Sequence, residues 1–339
     1  MVKKVFTFLF IAALLIGAYI AWSVFGPTVK APGDKFFYIH TGTSYRQVKE
    51  SLIKNKIIRN GYLFDQLSKK AGYQQNIRPG KYEIKNGSSL YNLVKMLRSG
   101  RQSPVRLVIN KLRTKEDLAQ KIANHFEVDS LSAIRFLLSN DSLKRFGLDT
   151  NTAMTAIIPN TYLLKWNTPF EKLFQRLDEE QEKFWTPERR EKARAEGLTP
   201  GEVYSMASII EEETNDAGDK AKIASVYLNR MRKGMRLEAD PTIKYAMRNF
   251  ALKRILRGHL DVVSPYNTYR NTGLPPGPIC TPSAKTIDAV LNAPETNYLF
   301  FVASPSFDGS SNFAETYSEH LIYAKAYQKA LDSLILSRK

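Results

Sequence analysis

The segment that most constrains this chain is an unbroken apolar run over residues 5–25. As a helix, a run of that length crosses about 30 Å of hydrocarbon, the core of a bilayer. Tyr19 and Trp22 lie near its far end, where aromatic belts form at membrane surfaces. Lys3 and Lys4 precede the run, which predicts a cytoplasmic N-terminus and export of the remaining chain to the periplasmic side.

A cleaved signal peptide is the competing interpretation of this run. Signal peptides have a shorter apolar core, followed by small residues at the cleavage site. Here the run is long and leads into Ser23-Val-Phe-Gly-Pro27, which is a poor cleavage sequence. Residues 1–26 are therefore predicted to form a short cytoplasmic stub and an uncleaved, single-pass anchor in the cytoplasmic (inner) membrane.

The charge balance favours an anionic partner. The 339 residues include 50 Lys and Arg against 33 Asp and Glu, which gives a formal net charge of +17. A strongly basic chain suits nucleic acid, an acidic membrane surface or an acidic polymer. The basic residues are spread along the chain without a dense Lys/Arg tract, and this argues against nucleic acid as the partner.

Cysteine and histidine indicate neither a disulfide nor a metal centre. Cys280 is the single cysteine, so no intramolecular disulfide can form. The four histidines, His40, His125, His259 and His320, lack the spacing of metal-ligand motifs. An exported chain of this kind must therefore have cores that are stable without cross-links.

Residues 27–104, which begin with a short linker, contain two copies of the order strand, Gly/Ser/Thr turn and helix, and a weaker third copy follows them. The strands and helices of the copies are expected at residues 36–39 and 45–54, at 80–84 and 90–97, and more weakly at 105–109 and 114–126. This order resembles LysM-type glycan-binding modules, and the resemblance implies a LysM-like subdomain that binds glycan. The alternative is an ordinary α+β spacer domain without a ligand.

The remaining residues, 105–339, predict a mixed α+β domain. Residues 169–192 combine many charged side chains with an apolar stripe, which predicts a surface helix that covers a core. The apolar run of residues 298–303 predicts a buried strand. The expected fold class is therefore α+β, with a single N-terminal transmembrane helix, a LysM-like α/β subdomain and a mixed α+β domain.

Residues 199–214 predict one helix that ends in carboxylates. Thr199 and Glu202 have the spacing of a capping box, and Pro200 suits the first helical position. Helical spacing defines a buried stripe. The stripe consists of Val203, Met206, Ala207 and Ile210.

The three glutamates at the end of this helix point in different directions. At ~100° per residue, Glu212 lies opposite the apolar stripe and is expected to face solvent. Glu211 lies on a polar flank, whereas Glu213 shares its flank with Met206 and Ile209. A carboxyl among apolar groups has a raised pKa and can act as a general acid near neutral pH. The alternative is a solvated acidic helix end, which is what most glutamate runs are.

Turn-rich segments beyond this helix complete a pattern that resembles a known family. The segments are Ala207-Ser-Ile-Ile-Glu-Glu-Glu-Thr214, Val226-Tyr-Leu-Asn-Arg230, Gly234-Met-Arg-Leu-Glu-Ala-Asp-Pro-Thr242, Tyr266-Asn-Thr-Tyr269 and Gly273-Leu-Pro-Pro-Gly277. With the N-terminal anchor and the LysM-like subdomain, they resemble the endolytic murein transglycosylases of the MltG/YceG-like family. The resemblance implies that residues 105–339 form a YceG-like catalytic domain.

The same resemblance assigns site residues. Glu213, the glutamate before Thr214, matches the family's catalytic position and is also the residue that the helix geometry favours. Asp240 matches a family carboxylate that either stabilises positive charge or caps the turn before Pro241. Pro159-Asn-Thr-Tyr162 departs from the Pro-Asp-Thr-Tyr segment typical of the family. The substrate-binding candidates are Asp240, Tyr266, Asn267, Tyr269, Arg236 and Asn229.

The resemblance implies one reaction and its partners. Protonated Glu213 would donate to the oxygen between N-acetylmuramic acid and N-acetylglucosamine, and would then deprotonate the muramic acid C6 hydroxyl. The product would be a 1,6-anhydro end, formed without water, metal or cofactor. The implied partners are peptidoglycan glycan strands, the membrane and peptidoglycan synthases, in a reaction that trims or terminates nascent strands.

Two other functions remain open at this stage. One is a muramidase-type hydrolase in which Asp240 supports attack by water, since most glycosidases use two carboxylates. The other is a non-catalytic glycan-binding scaffold, and the presence of Glu213 within its surrounding motifs argues against it.

Overall fold

The computed structural model describes residues 2–337, so Met1 of the predicted stub and the last two residues of the predicted 105–339 domain lie outside the described residues. The described chain divides into two compact units. The first contains the residues up to Leu107 together with Ala123–Val128 and Leu163–Pro169, and the second contains Val108–Ile122, Asp129–Tyr162 and the residues from Phe170 onward. Neither unit is continuous in sequence, because the chain passes between them several times.

Helix α1, Val2–Phe25, contains the predicted apolar run. Within residues 2–337 it is the one helix that is long and apolar enough to cross a membrane. Its side chains are largely exposed, with Val24 as the buried exception near the end. The expected combination of an N-terminal apolar helix with α+β structure is confirmed.

The first unit is built from short strands and capped helices. Its elements are β1 (Phe36–Ile39), α2 (Tyr45–Lys54), α3 (Gly61–Lys70), β2 (Gly80–Glu83), α4 (Leu90–Ser99) and β3 (Val105–Val108). Strands β1 and β2 pair antiparallel, with Phe37 opposite Tyr82. Ser44 and Ser89 cap α2 and α4 through their side chains, so the two predicted strand–turn–helix copies are present. Buried residues such as Leu52 and Leu97 join them in one core.

The other elements follow in chain order. They are α5 (Lys115–Ala123), α6 (Ser130–Leu137), α7 (Asn140–Lys144), β4 (Thr161–Leu164), α8 (Phe170–Phe184), α9 (Pro187–Ala195), α10 (Pro200–Glu213), α11 (Ala217–Arg232), α12 (Asp240–Ala246), α13 (Ala284–Leu291), β5 (Phe300–Ala303), β6 (Ser311–Ala314) and α14 (Tyr317–Ser337). Strand β3 pairs with β4, and β5 pairs antiparallel with β6. Short 3₁₀ turns lie at Ala153–Ala156 and Arg257–Asp261.

Two sequence expectations in this region need correction. The charged helix predicted over residues 169–192 is two helices, because Trp185 turns into the core and Thr186 starts α9 as its N-cap. The strand expected over residues 298–303 forms over Phe300–Ala303, but none of its residues is fully buried. It belongs to a two-stranded hairpin whose Phe300 and Phe301 line a cavity.

Helix α10 is the central element of the second unit. The capping box of Thr199 and Glu202 forms as predicted, with Pro200 in the first turn. Every residue from Val203 to Ile210 is buried, so burial extends around the middle of the helix, beyond the predicted apolar stripe, and includes two serines. Helices α11 and α13 pack against it. The hydroxyl groups of its buried residues form hydrogen bonds with other protein groups. For example, Ser208 accepts a hydrogen bond from the Ile279 amide at 2.9 Å.

Candidate active site

Glu213 ends α10 at the wall of a cavity of about 320 Å³ in the second unit. The helix stops here because Thr214 adopts an extended backbone conformation. The Tyr227 hydroxyl, on α11, donates a hydrogen bond to Glu213 Oε1 at 2.8 Å. Tyr227 is itself buried, so this bond holds the carboxyl in a defined orientation at the cavity wall.

The environment of Glu213 raises its pKa to about 7. The largest cause is desolvation: part of the side chain faces the cavity, but protein atoms crowd around the carboxyl. The negative charge of Asp240 raises the pKa further, whereas the Tyr227 hydrogen bond and Lys244 lower it. Near neutral pH this carboxyl therefore exists in both its protonated and its ionised form, as a residue that acts as acid and then as base requires.

Asp240 lines the same cavity and adds a carboxylate to those of Glu213 and Glu238. It is the first residue of α12, and the preceding N-cap, Ala239, makes no side-chain cap bond. The Tyr269 hydroxyl donates to Asp240 Oδ1 at 2.6 Å. Asp240 is exposed to the cavity side of its helix, so it presents negative charge to whatever occupies the cavity.

Much of the remaining cavity wall is aromatic. Phe300 and Phe301 come from β5, and Tyr317 and His320 come from the start of α14. The His320 ring stacks on Phe300 with ring centroids 5.4 Å apart. Burial, and then the charge of Arg230, lower the pKa of His320, which favours the neutral imidazole. Aromatic faces beside carboxylates are suited to binding sugar rings.

Arg230 connects the parts of this wall. Its guanidinium donates to the carbonyl oxygens of Arg236 and Leu237, each at 3.0 Å, and to that of Leu299 at 2.7 Å. It also pairs with Glu238 at 3.0 Å. The side chain is 8% exposed, so these bonds satisfy a buried charge. Arg230 therefore joins the segment before α12 to Leu299, the residue that precedes β5.

The two glutamates that precede Glu213 at the end of α10, Glu211 and Glu212, are held by ion pairs. Burial alone would raise the pKa of Glu211, but hydrogen bonds from Lys220, Thr286 and Ser283 outweigh it and lower the pKa. The expectation that Glu212 faces solvent is wrong. Its side chain is 14% exposed and pairs with Lys111 at 3.0 Å and Arg113 at 2.9 Å. A helical wheel cannot show that residues 111–113 pack over this face.

This correction changes the expected effect of Glu212→Gln. Loss of the charge should lower the free energy of unfolding by about 1–2 kcal/mol, because a partly buried, bidentate pair is broken. Urea denaturation measures it. Glu179→Gln is the matched control: Glu179 forms an exposed pair with Arg176, and its loss should cost less than about 0.5 kcal/mol. Equal stability of the two variants would contradict the structural role of Glu212.

The predicted sugar-binding residues occupy different places. Tyr269 and Asp240 line the cavity with Glu213. The others do not line it, and each has another environment. Tyr266 packs on Tyr245 with ring centroids 4.7 Å apart, while Arg236 is exposed and offers only its carbonyl to Arg230.

The two candidate asparagines are committed to the backbone. The Asn267 side chain is buried and donates to the carbonyl oxygens of Leu260 and Val262, each at 2.8 Å. The Asn229 amide donates to the carbonyls of Thr296 and Tyr298, at 2.7 and 3.1 Å. Both side chains stabilise turns around the site. Neither side chain contributes a free polar group to the cavity.

Sequence reasoning missed several residues that line this cavity or contact Glu213. Tyr227 and Arg230 stand one helical turn apart within Val226-Tyr-Leu-Asn-Arg230, and this spacing was a signal that they share a face. Phe300, Tyr317 and His320 had no such signal, because only the folding of the β5–β6 hairpin and α14 brings them to α10.

Comparison with known proteins agrees with this architecture. A model of the YceG-like family matches residues 37–326. The chain belongs to the YceG-like family. The resemblance predicted from the sequence motifs is thereby confirmed. This YceG-like chain also resembles a crystal structure, at 2.6 Å, of a YceG-like protein from Listeria monocytogenes, with a TM-score of 0.57 and 25% identity over 85% of this chain and 98% of that chain.

Curated relatives of this YceG-like chain carry an enzyme name. An endolytic murein transglycosylase of Bacillus subtilis (strain 168) is 28% identical over 310 residues, which cover 87% of this chain and 84% of the relative. A protein of the same name from Streptococcus pneumoniae serotype 2 (strain D39) is 26% identical over 318 residues. The alignment covers 83% of this chain but 56% of that relative, so the chain spans little more than half of the streptococcal protein.

Proposed function

We propose that this YceG-like protein is an endolytic murein transglycosylase that cleaves the bond between N-acetylmuramic acid and N-acetylglucosamine within glycan strands. The observation that carries the proposal is Glu213, a carboxyl with a pKa of about 7 at the wall of a cavity lined by aromatic side chains. The curated relatives with this name support the substrate class. Trimming or terminating nascent strands is the role that such cleavage would serve.

The reaction uses Glu213 twice. Protonated Glu213 donates to the glycosidic oxygen as the bond to muramic acid C1 breaks, and positive charge develops at C1. The carboxylate then takes the proton of the C6 hydroxyl of the same sugar, whose oxygen bonds to C1 and closes the 1,6-anhydro ring. Asp240 stabilises the positive charge electrostatically, as fixed charges do in a preorganised site. A single acid–base residue suffices because the nucleophile belongs to the substrate.

Product analysis tests this function against hydrolysis. Purified full chain in detergent is incubated with murein sacculi, and the released muropeptides are identified by mass spectrometry. Anhydro ends, each lighter by one water than a reducing end, are the expected products. Reducing ends would instead assign Asp240 to the activation of water, in the manner of two-carboxylate glycosidases. Absence of any cleavage would contradict both enzymatic readings.

We also propose that the LysM-like first unit binds glycan strands. This unit has a groove of about 380 Å³, here called the second groove, and its lining combines apolar side chains with polar ones such as Glu83, Ser88 and Asn92. Glu83→Ala combined with Asn92→Ala, in a chain that also carries Glu213→Gln, should weaken retention on insoluble murein several-fold. The control is Glu50→Ala with Gln66→Ala, on exposed faces of α2 and α3. Equal retention of the two double variants would reject this binding site.

Helix α1 is proposed to anchor the chain in the cytoplasmic membrane, with both units on the exported side. Its length, its exposed apolar surface and Lys3 and Lys4 before the apolar run support this topology. We expect the mature protein to retain α1, so its mass after detergent extraction should match the full chain. A mature chain that begins near residue 27 would show that the segment is a cleaved signal sequence.

A further inference from the structure

A groove in the first unit lies directly beside the end of α1. Its volume is about 580 Å³. Phe25, the last residue of α1, contacts Tyr91 of α4 with ring centroids 5.6 Å apart, and both rings line the groove. Leu67 and Val94 extend this apolar lining toward α3 and α4. The groove therefore begins where the membrane-spanning length of the chain ends.

The rim of the same groove is cationic. Lys70, Lys95, Arg98 and Arg101 all line it, and all four side chains are exposed. No Asp or Glu is among the residues that line the groove in the described part of the chain. None of the four cations forms an ion pair there, in contrast to Lys49, which pairs with Asp65. The groove thus carries positive charge that the protein itself does not neutralise.

We propose that this groove binds an anionic phospholipid, with its phosphate at the Lys/Arg rim and the upper part of its acyl chains on the apolar lining. An inorganic anion would leave the apolar surface uncovered, and a zwitterionic lipid would leave the cations unmatched. A lipid headgroup of the exported leaflet lies at the depth where the spanning helix ends, and unneutralised basic side chains there attract an anionic phosphate. The inference rests on the proposed anchoring by α1, and it concerns a groove separate from the Glu213 cavity.

The test compares matched charge variants of the full chain. Lys70→Gln with Arg98→Gln removes two cations of the groove, and neither residue lines the second groove proposed for glycan. Arg46→Gln with Lys54→Gln removes the same charge from exposed positions of α2. Native mass spectrometry in a non-ionic detergent measures binding of dioctanoyl phosphatidylglycerol. The groove variant should bind on the order of 25-fold more weakly than the control variant, at roughly fivefold per cation.

Two further arms separate the sources of the anion. Dioctanoyl phosphatidylcholine should bind much more weakly than phosphatidylglycerol, and inorganic phosphate should not compete at equal concentration. Equal binding of the two lipids, effective competition by phosphate, or equal affinity of the two charge variants would each overturn the proposal. The mass of the mature protein extracted from cells is measured separately. Cleavage of α1 would disprove the anchoring, and this mass distinguishes that result from a failure of the groove to bind lipid.

Discussion

Glu213→Gln should abolish the release of anhydromuropeptides from sacculi, with a loss of rate on the order of 10²–10⁴-fold. Glutamine keeps the shape of the side chain and can still accept the hydrogen bond from Tyr227, but it has no carboxyl proton to donate. The measurement is the initial rate of muropeptide release by full chain in detergent, followed by mass spectrometry.

Glu211→Gln is the matched control for this change. Glu211 lies two residues earlier on the same helix, and its carboxylate is bound by Lys220. This variant should lose stability while its folded fraction keeps the catalytic rate. An inactive Glu211 variant beside an active Glu213 variant would reverse the assignment of the acid. Full activity in both would show that the acid lies elsewhere.

The dependence of activity and stability on pH gives an independent readout of Glu213. Because its pKa is raised to about 7, the proton needed for catalysis is lost as pH rises through 7, and activity should fall there. Its ionised form is disfavoured in the folded state, so wild-type stability should fall as pH rises from about 4.5 through 7. Glu213→Gln avoids this cost. Above pH 7 its free energy of unfolding should exceed that of the wild type by up to about 3 kcal/mol, and below pH 4.5 the two should be similar.

Asp240→Asn should lower the catalytic rate on the order of 10²-fold, with a smaller effect on KM. The variant removes the negative charge that faces the developing positive charge, and loss of one preorganised electrostatic group costs about this much. Asparagine can still accept the hydrogen bond from Tyr269, so the local structure is preserved. Steady-state rates on sacculi or on purified glycan strands provide the measurement.

Tyr269→Phe separates charge from hydrogen bonding at this position. It removes the donor to Asp240 but leaves the Asp240 charge, so it should keep most of the rate.

The pH profiles of Asp240→Asn and Tyr227→Phe should shift in opposite directions. Asp240→Asn should move the alkaline limb of the profile to lower pH, since Asp240 raises the pKa of Glu213, whereas Tyr227→Phe should move it to higher pH. If Asp240→Asn changes neither the rate nor the limb, Asp240 has only a structural role.

The local elements followed from short-range signals in the sequence. Helices α2, α4 and α10 start where predicted, with Ser44, Ser89 and Thr199 as their caps, because a side-chain oxygen that satisfies free amides at a helix start acts within three residues. The apolar run of α1 is equally local, since its length alone decides whether it can cross a bilayer. The preference for Glu213 over Glu211 also rested on the apolar composition of one helix flank.

The surroundings of these elements depended on contacts between distant parts of the chain. Glu212 was expected in solvent, but it is covered by residues that are distant in sequence. One of them, Arg113, lies 99 positions away along the chain. Asn229 and Asn267 have the chemistry of sugar ligands, and only their backbone partners show that their amides are already occupied.

What the sequence alone determined is therefore the spanning length of α1, the starts of α2, α4 and α10, the family motifs and the identity of the one glutamate on an apolar flank. Only the tertiary structure decided that Tyr227 orients Glu213, that Asp240 and Tyr269 share its cavity, and that β5 and α14 supply the aromatic wall. The physical reason is the range of the interactions. Caps and periodicity act within a helical turn or a single segment, whereas the desolvation that raises the pKa of Glu213 is a sum over atoms from several elements.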